Sequence, residues 1–180
     1  MANSKQVTFY SDIAFSETTT DLITANTNTR LNFGYSFNSG TGNTDTDVSN
    51  FFDTFAKFTG LIASGAEDVL NFSGLTHQLS NGTTETKSFL HVNGIVISNN
   101  DTADSGNVLL VRATGTDAFT NVFNGESGNL KLNPYGTWQY LDYYGTTKVT
   151  GSNRLLTIAN TGSTTGIEYT YMVVGYTGTS

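Results

Sequence analysis

The side chains that could do chemistry are few and scattered. The chain has two histidines, His77 and His91, and no cysteine. A zinc site needs three or four converging nitrogen, sulfur or oxygen ligands at recognisable spacing. Neither histidine has such companions nearby in sequence, and both read as polar residues on sheet faces. A serine nucleophile needs a base and an orienting group within reach. No G-x-S-x-G elbow occurs, and only the two histidines could serve as base. Glycoside hydrolysis needs a pair of carboxylates. Glu126, Asp142 and Glu168 are the acids whose convergence would supply one. No G-x-x-x-x-G-K-[ST] loop is present to cradle a phosphate. Oxygen-rich turns can hold calcium. Asn100, Asp101 and Asp104 with Gly106, and separately Asp45 and Asp47, are such turns, but they lack EF-hand offsets and form readily without metal. The expectation is therefore no catalytic residue, no cofactor and no bound metal.

One stretch stands apart. Leu130 to Tyr144, LKLNPYGTWQYLDYY, holds the only proline, Pro134, and the only tryptophan, Trp138. Tyr135, Tyr140, Tyr143 and Tyr144 lie in it as well. Tyrosine and tryptophan offer large contact area with a polar tip, so they suit protein interfaces and sugar-binding faces. Tyr135, Trp138, Tyr140, Tyr143 and Tyr144 are thus the candidate contact surface. At least half of them are expected to be core or rim rather than free surface. Asn133–Gly136 reads as the turn that starts the patch.

The elements that position these residues read as strands. Leu31, Phe33, Tyr35 and Phe37 alternate with polar or small residues, the period of a half-buried strand. Val7, Phe9, Ile13 and Phe15 suggest one or two short strands, and Asp21–Thr24 another. Residues 38–50 form a polar loop. Phe51, Phe55, Phe58 and Ile62 have helical spacing, but Gly60 argues for a strand over Phe55–Ala63, with a short helix left open in the preceding loop. Further strands are expected over Glu67–Ser73, Ser88–Ser98, Asn107–Ala113, Phe119–Phe123, Arg154–Ala159 and Ile167–Tyr176. In Ser88–Ser98, Leu90, Val92 and Val96 would line one face and Phe89, Ile95 and Ile97 the other. Asn81-Gly82 marks a turn. Roughly eight to ten strands with Gly/Asn/Thr turns imply an all-β, antiparallel β-sandwich and a single domain, jelly-roll-like ahead of an immunoglobulin-like layout, which the missing Cys–Trp–Cys arrangement weakens. Residues 1–50 would be N-terminal strands and loop, an assembly arm in one version, and residues 51–180 the sandwich core.

Composition limits the partners. Hydrophobic residues make up 37% and charged residues 13%, and the net charge is −7. Lys and Arg number eight and do not cluster, which disfavours nucleic acid. No apolar run reaches membrane-spanning length. The start, MANSKQVTFYSD, does not have the form of a signal peptide. Synthesis in a cytoplasm is expected, with a Thr/Asn surface suited to later life outside a cell.

The text of the C-terminal half, GNVLLVRATG, then NGESGNLKLNPYGTWQYLDYYG, then NRLLTIANTGSTTGIEYTYMVVGYT, resembles structural proteins of tailed bacteriophage particles. The resemblance lies in an apolar strand, an L-x-P-x-G turn, an L-x-I-x-N segment, a Thr/Gly turn and a closing Tyr/Val strand, over roughly residues 66–176. It implies a non-enzymatic virion subunit that decorates or cements the capsid, a minor capsid subunit, or part of an appendage. Such a subunit would be made in the host cytoplasm and assembled as a homo-oligomer, a trimer first, against the major capsid protein or another virion protein. The alternative is a glycan-binding β-sandwich module of an appendage used for host attachment.

Overall fold

A computed structural model describes residues 6–19, 25–39, 51–52, 54–79, 81–102, 107–125, 127–142, 147–162 and 165–177, with side chains from residue 54 onward. The strands run in the order β1 (Gln6–Thr19), β2 (Ala25–Ser39), β3 (Phe51–Phe52), β4 (Thr54–Ile62), β5 (Glu67–Asn71), β6 (Leu75–Gln78) and β7 (Thr84–Lys87). They continue with β8 (His91–Asn99), β9 (Leu109–Ala113), β10 (Gly128–Leu132), β11 (Thr137–Leu141), β12 (Leu155–Asn160) and β13 (Ile167–Tyr176). Among the described residues no helix is long and apolar enough to cross a membrane.

The chain divides into two compact units, Met1–Ser39 and Gly40–Ser180. The first is one antiparallel hairpin of β1 and β2, in which Val7 pairs with Phe37, Phe9 with Tyr35 and Ile13 with Leu31. The apolar alternation read at Val7–Phe15 belongs to one long strand rather than two short ones. The polar run after Phe37 starts inside β2, at Asn38 and Ser39. Asp21–Thr24 and residues 40–50 lie outside the described residues.

The second unit is an antiparallel sandwich of two four-stranded sheets, β10-β9-β12-β5 and β11-β8-β13-β4. Between β4 and β13 the chain changes sheet at every connection except β9 to β10, setting aside the separate β6–β7 hairpin. That alternation is the jelly-roll arrangement. The reason for the strands is plainest in β13. Ile167, Tyr169, Tyr171 and Val173 are buried, while Glu168 is exposed and Thr170 and Met172 are half-buried. The opposite sheet presents Leu156 and Ile158 from β12 and Leu109, Val111 and Ala113 from β9 to the same core. The strand expected over Phe55–Ala63 is β4, and the Asn81-Gly82 turn joins β6 to β7.

Two expectations need correction. Phe119–Phe123 is not a strand: Thr120–Phe123 is a single 3-10 turn, and Phe119 is buried with its ring 4.5 Å from that of Phe72. In β8, Val92 does not share a face with Leu90 and Val96. Val92, Ile95 and Ile97 are fully buried, Val96 is half-buried and Leu90 is 49% exposed. A bulge opposite Val174/Gly175 inserts one residue into β8, and an inserted residue reverses the alternation beyond it. Gly175 permits this, because a β-carbon there would meet the His91 carbonyl oxygen at 2.1 Å.

Four connections lie at one end of the sandwich, and asparagines tie them together. Asn99 Nδ2 donates to the carbonyls of Asn107 (3.2 Å) and Leu132 (3.0 Å). Asn160 Nδ2 donates to the carbonyls of Ile62 (3.1 Å) and Thr165 (2.9 Å), and its Oδ1 accepts from Gly162 N–H (2.8 Å). Asn107 Nδ2 donates to Asp101 Oδ2 (3.0 Å) and to Thr165 Oγ1. All three asparagines are at most 2% exposed. Buried carbonyls without partners cost about 1–3 kcal/mol each, so these side chains take the place that water would hold at an open end. Asn160→Ala should therefore lower unfolding free energy by about 2–4 kcal/mol, read from denaturant midpoints. Thr161→Ala, at an exposed neighbour, should cost less than about 1 kcal/mol.

Candidate functional site

The patch from Leu130 to Tyr144 folds as the end of β10, a turn and β11. These are the edge strands of the two sheets on the same side of the sandwich. Gly136 N–H donates to the Asn133 carbonyl at 2.7 Å, which closes the turn. Proline presets the second turn position, and the third requires positive φ. Tyr135 occupies that third position with φ +60° and is 68% exposed. A left-handed conformation costs a β-carbon-bearing residue about 1–2 kcal/mol. The ring therefore stands in solvent on a backbone that glycine would adopt more readily.

Trp138 and Tyr140 point the other way, toward the gap between the sheets. Both are half-buried and pack on the core, as does Leu130. Their pairing in β8 is with Ile97 and Ile95, both fully buried. The indole stacks on Phe123 at 6.1 Å with an 11° tilt, and on Tyr140 at 6.5 Å with a 26° tilt. Phe123 lies outside the aromatic stretch of the sequence, in a segment whose pattern predicts a strand; the 3-10 turn brings it here. Tyr143 and Tyr144 lie outside the described residues. The structure thus joins Trp138 with Tyr140, adds Phe123 and leaves Tyr135 apart at the turn.

Tyr140 ends in a short polar chain. Thr147 Oγ1 donates to Asp142 Oδ2 at 2.7 Å, so it accepts from the Tyr140 hydroxyl at 2.6 Å. Burial pushes the Tyr140 phenol up, the Thr147 bond offsets part of this, and the charge of Asp142 adds to it. Asp142 also accepts from Thr147 N–H at 2.7 Å. Of the three acids considered for glycoside hydrolysis, Glu126 lies outside the described residues. The other two do not converge. Asp142 N–H bonds Asn93 near the start of β8, and the Glu168 carbonyl accepts from Asn100 N–H just past its end. At ~3.3 Å per residue those points are about 20 Å apart.

The opposite side of the sandwich, where β4 and β5 are the edges, is closed by a second aromatic group. Phe58 lies 5.7 Å from Tyr171 and 6.2 Å from Tyr169. Tyr171 donates its hydroxyl to the Thr76 carbonyl and Tyr169 donates to Asp68. Burial raises both phenols strongly; the nearby Asp68 charge pushes each further, and the hydrogen bond to Asp68 adds to the rise at Tyr169. Gly60 makes room for the rings, because a β-carbon there would lie 2.4 Å from Phe58 Cε1.

His77 belongs to this edge. It is 7% exposed, stands edge-on to Phe55 at 5.0 Å, and accepts the Lys57 backbone N–H on Nδ1 at 3.0 Å. Gln78 Oε1 accepts the Thr59 N–H at 3.4 Å. These two side chains serve the outward donors of β4, which among the described residues is an edge strand of its sheet. They line an open groove of about 500 Å³ with Phe55, Lys57, Thr59 and Leu79. Beyond it, the Lys87 ammonium bonds Glu85 at 2.8 Å and holds its carboxyl below the usual range. His91 is buried at the start of β8, and its backbone forms an isolated antiparallel β-bridge with that of Lys148. Among the described residues no three His, Cys, Asp or Glu side chains form a group that could hold a metal ion. Asp101 of the oxygen-rich turn accepts from Thr102 N–H at 2.9 Å and from Asn107. Asp104, Gly106, Asp45 and Asp47 lie outside the described residues.

No protein-family model matches the chain, and no curated protein matches it either.

The site yields two expectations. Tyr135→Gly should raise stability by about 0.5–1 kcal/mol, the left-handed strain exceeding the added glycine entropy, while removing the exposed ring. Unchanged or lower stability in a denaturant series would contradict the strain. The second concerns alkali. Tyr140, Tyr169 and Tyr171 keep their protons in the folded state beyond the point near pH ~10 where the unfolded chain releases them. Above that point the unfolded state binds fewer protons, so stability falls with rising pH. It is fully present below pH ~10. Phenolate absorbance should show Tyr169 and Tyr171 releasing their protons only as the fold is lost.

Proposed function

We propose that this chain is a non-enzymatic structural protein of a tailed-bacteriophage virion, a capsid-associated decoration or cement subunit or a minor capsid subunit. It would work as a homo-oligomer beside the major capsid protein or another virion protein. Jelly rolls occur in viral capsid and lectin domains and in enzymes alike, and one fold serves many functions. The observation that carries the reading is therefore the destination of the polar side chains. Asn99, Asn107, Asn160, Asp101, Asp142 and His77 all bond groups of their own chain. Asp117 accepts from Arg154 at 2.9 Å, and Asn153 bonds Thr120 N–H and the Lys148 carbonyl. Residue types that elsewhere act on substrates here hold loops together, as a subunit that must stay folded on a particle requires. Many such copies can bind a lattice through weak contacts that add by multivalency.

The half-exposed rings of Phe123, Trp138 and Tyr140 favour one second reading, a glycan-binding module of a phage appendage. Mass spectrometry of purified virions decides first. The chain should be found at a fixed copy ratio to the major capsid protein, and its absence from the particle sinks the leading reading. Binding of a host polysaccharide by the purified protein, lost in Trp138→Ala, would favour the second.

A further inference from the structure

The edges of the sandwich differ in a way that points to a partner. Four strands are terminal in their sheets: β4, β5, β10 and β11. Natural proteins blunt such edges with charges, bulges or cover, because unpaired backbone groups template further pairing. β4 carries Lys57 and has its outward N–H groups capped by His77 and Gln78. β5 carries Glu67 and Asp68, and β10 carries Lys131. β11, with the sequence TWQYL, carries no charge.

Its hydrogen bonding fixes which groups are outward. Asn99 N–H donates to the Gly136 carbonyl, and Asp142 N–H donates to the Asn93 carbonyl. An antiparallel strand directs the backbone groups of alternate residues to opposite sides. Gly136, Trp138, Tyr140 and Asp142 therefore face β8, and Thr137, Gln139 and Leu141 present N–H and C=O outward. Among the described residues, no side chain caps these outward groups as His77 and Gln78 cap β4.

We propose that β11 pairs edge to edge with β11 of a second copy of this chain, antiparallel, with the two-fold axis at Gln139. That register places the three outward residues in hydrogen-bonded positions: Gln139 opposite Gln139, and Thr137 opposite Leu141 on either side. It sets Trp138 opposite Tyr140 in the non-hydrogen-bonded positions, where side chains approach closest and aromatic pairs stabilise. A two-fold interface is self-complementary, so residue i meets j and j meets i. A charge at its centre would face its own copy, which is destabilising; a neutral strand meets that requirement, and of the four edges β11 alone does. The rings of Trp138 and Tyr140, half-buried in one copy, would be further covered in two. The pairing predicts an even number of copies, in place of the trimer expected from the sequence, and it stands or falls whether or not the protein belongs to a virion.

The test is the mass in solution of the full chain across a concentration series, by sedimentation, together with Trp138 emission. Trp138 is the only tryptophan, so emission reports on this strand alone. The expected result is a monomer–dimer equilibrium with a blue shift on association. Gln139→Lys and Gln139→Glu should each weaken self-association at least tenfold, about 1.4 kcal/mol. An equimolar mixture of the two should recover the dimer by placing opposite charges across the axis. A wild-type protein that stays a single copy at every concentration, or that forms three copies, overturns the proposal. So does a Gln139→Lys or Gln139→Glu chain that associates as tightly as wild type, or a mixture that fails to recover.

Discussion

Two sheets can share a dry interior only if the gap between them is closed wherever the strands end or run out. Here the gap has two open sides, and four of the connections meet at one end; different residue types close each of these. On the β4/β5 side, Phe58, Tyr169 and Tyr171 fill the gap and hand their hydroxyls to Asp68 and to the Thr76 carbonyl. The β10/β11 side is filled by the stack of Phe123, Trp138 and Tyr140. At the loop end Asn99 and Asn160 satisfy carbonyls that a turn leaves over, and Asn107 ties the Asp101 carboxylate to the Thr165 hydroxyl. Aromatic rings suit the sides because they are broad, and their polar tips reach the rim. Asparagine suits the end because its amide matches backbone groups on both sides at once.

This division of labour explains the composition. A chain with 13% charged residues places few ions, and the pairs it forms are at the margins, as with Arg154 and Asp117. Asparagine and threonine, which look like a bland polar background, are structural where they fall at strand ends. The same logic separates the two outer strands of one sheet. β4 is sealed by histidine and glutamine from a neighbouring hairpin, whereas β11 shows its backbone beside the aromatic stack. The sealed edge and the open one belong to the same sheet, so the asymmetry lies in side chains rather than topology.

Much of the fold was legible because its signals are local. Ile167–Tyr176 alternates as a strand and is one. The Asn81-Gly82 turn was visible because few residues accept positive φ, and Gly82 has φ +84°. Ser88–Ser98 misled because a bulge is invisible to periodicity: Val92 and Ile95 are three positions apart yet both fully buried. Phe119–Phe123 misled because an apolar pair bounded by turn residues fits a 3-10 turn as well as a strand. Nothing in the local text around His77 says that its ring accepts a backbone N–H from Lys57, twenty positions away.

By itself, then, the sequence determined the all-β class, the alternation of the main strands, the turn at Asn133–Gly136 and the grouping of aromatic residues after it. Each of these rests on interactions within a few residues, such as a fixed φ or a period of two. Only the tertiary structure decided that Trp138 and Tyr140 face the gap while Tyr135 faces solvent. It also brought Phe123 onto the stack, kept Asp142 and Glu168 apart, and left β11 as the uncharged edge. Those outcomes depend on which strand lies beside which, and strand neighbours in a jelly roll are set by contacts between residues far apart in the chain.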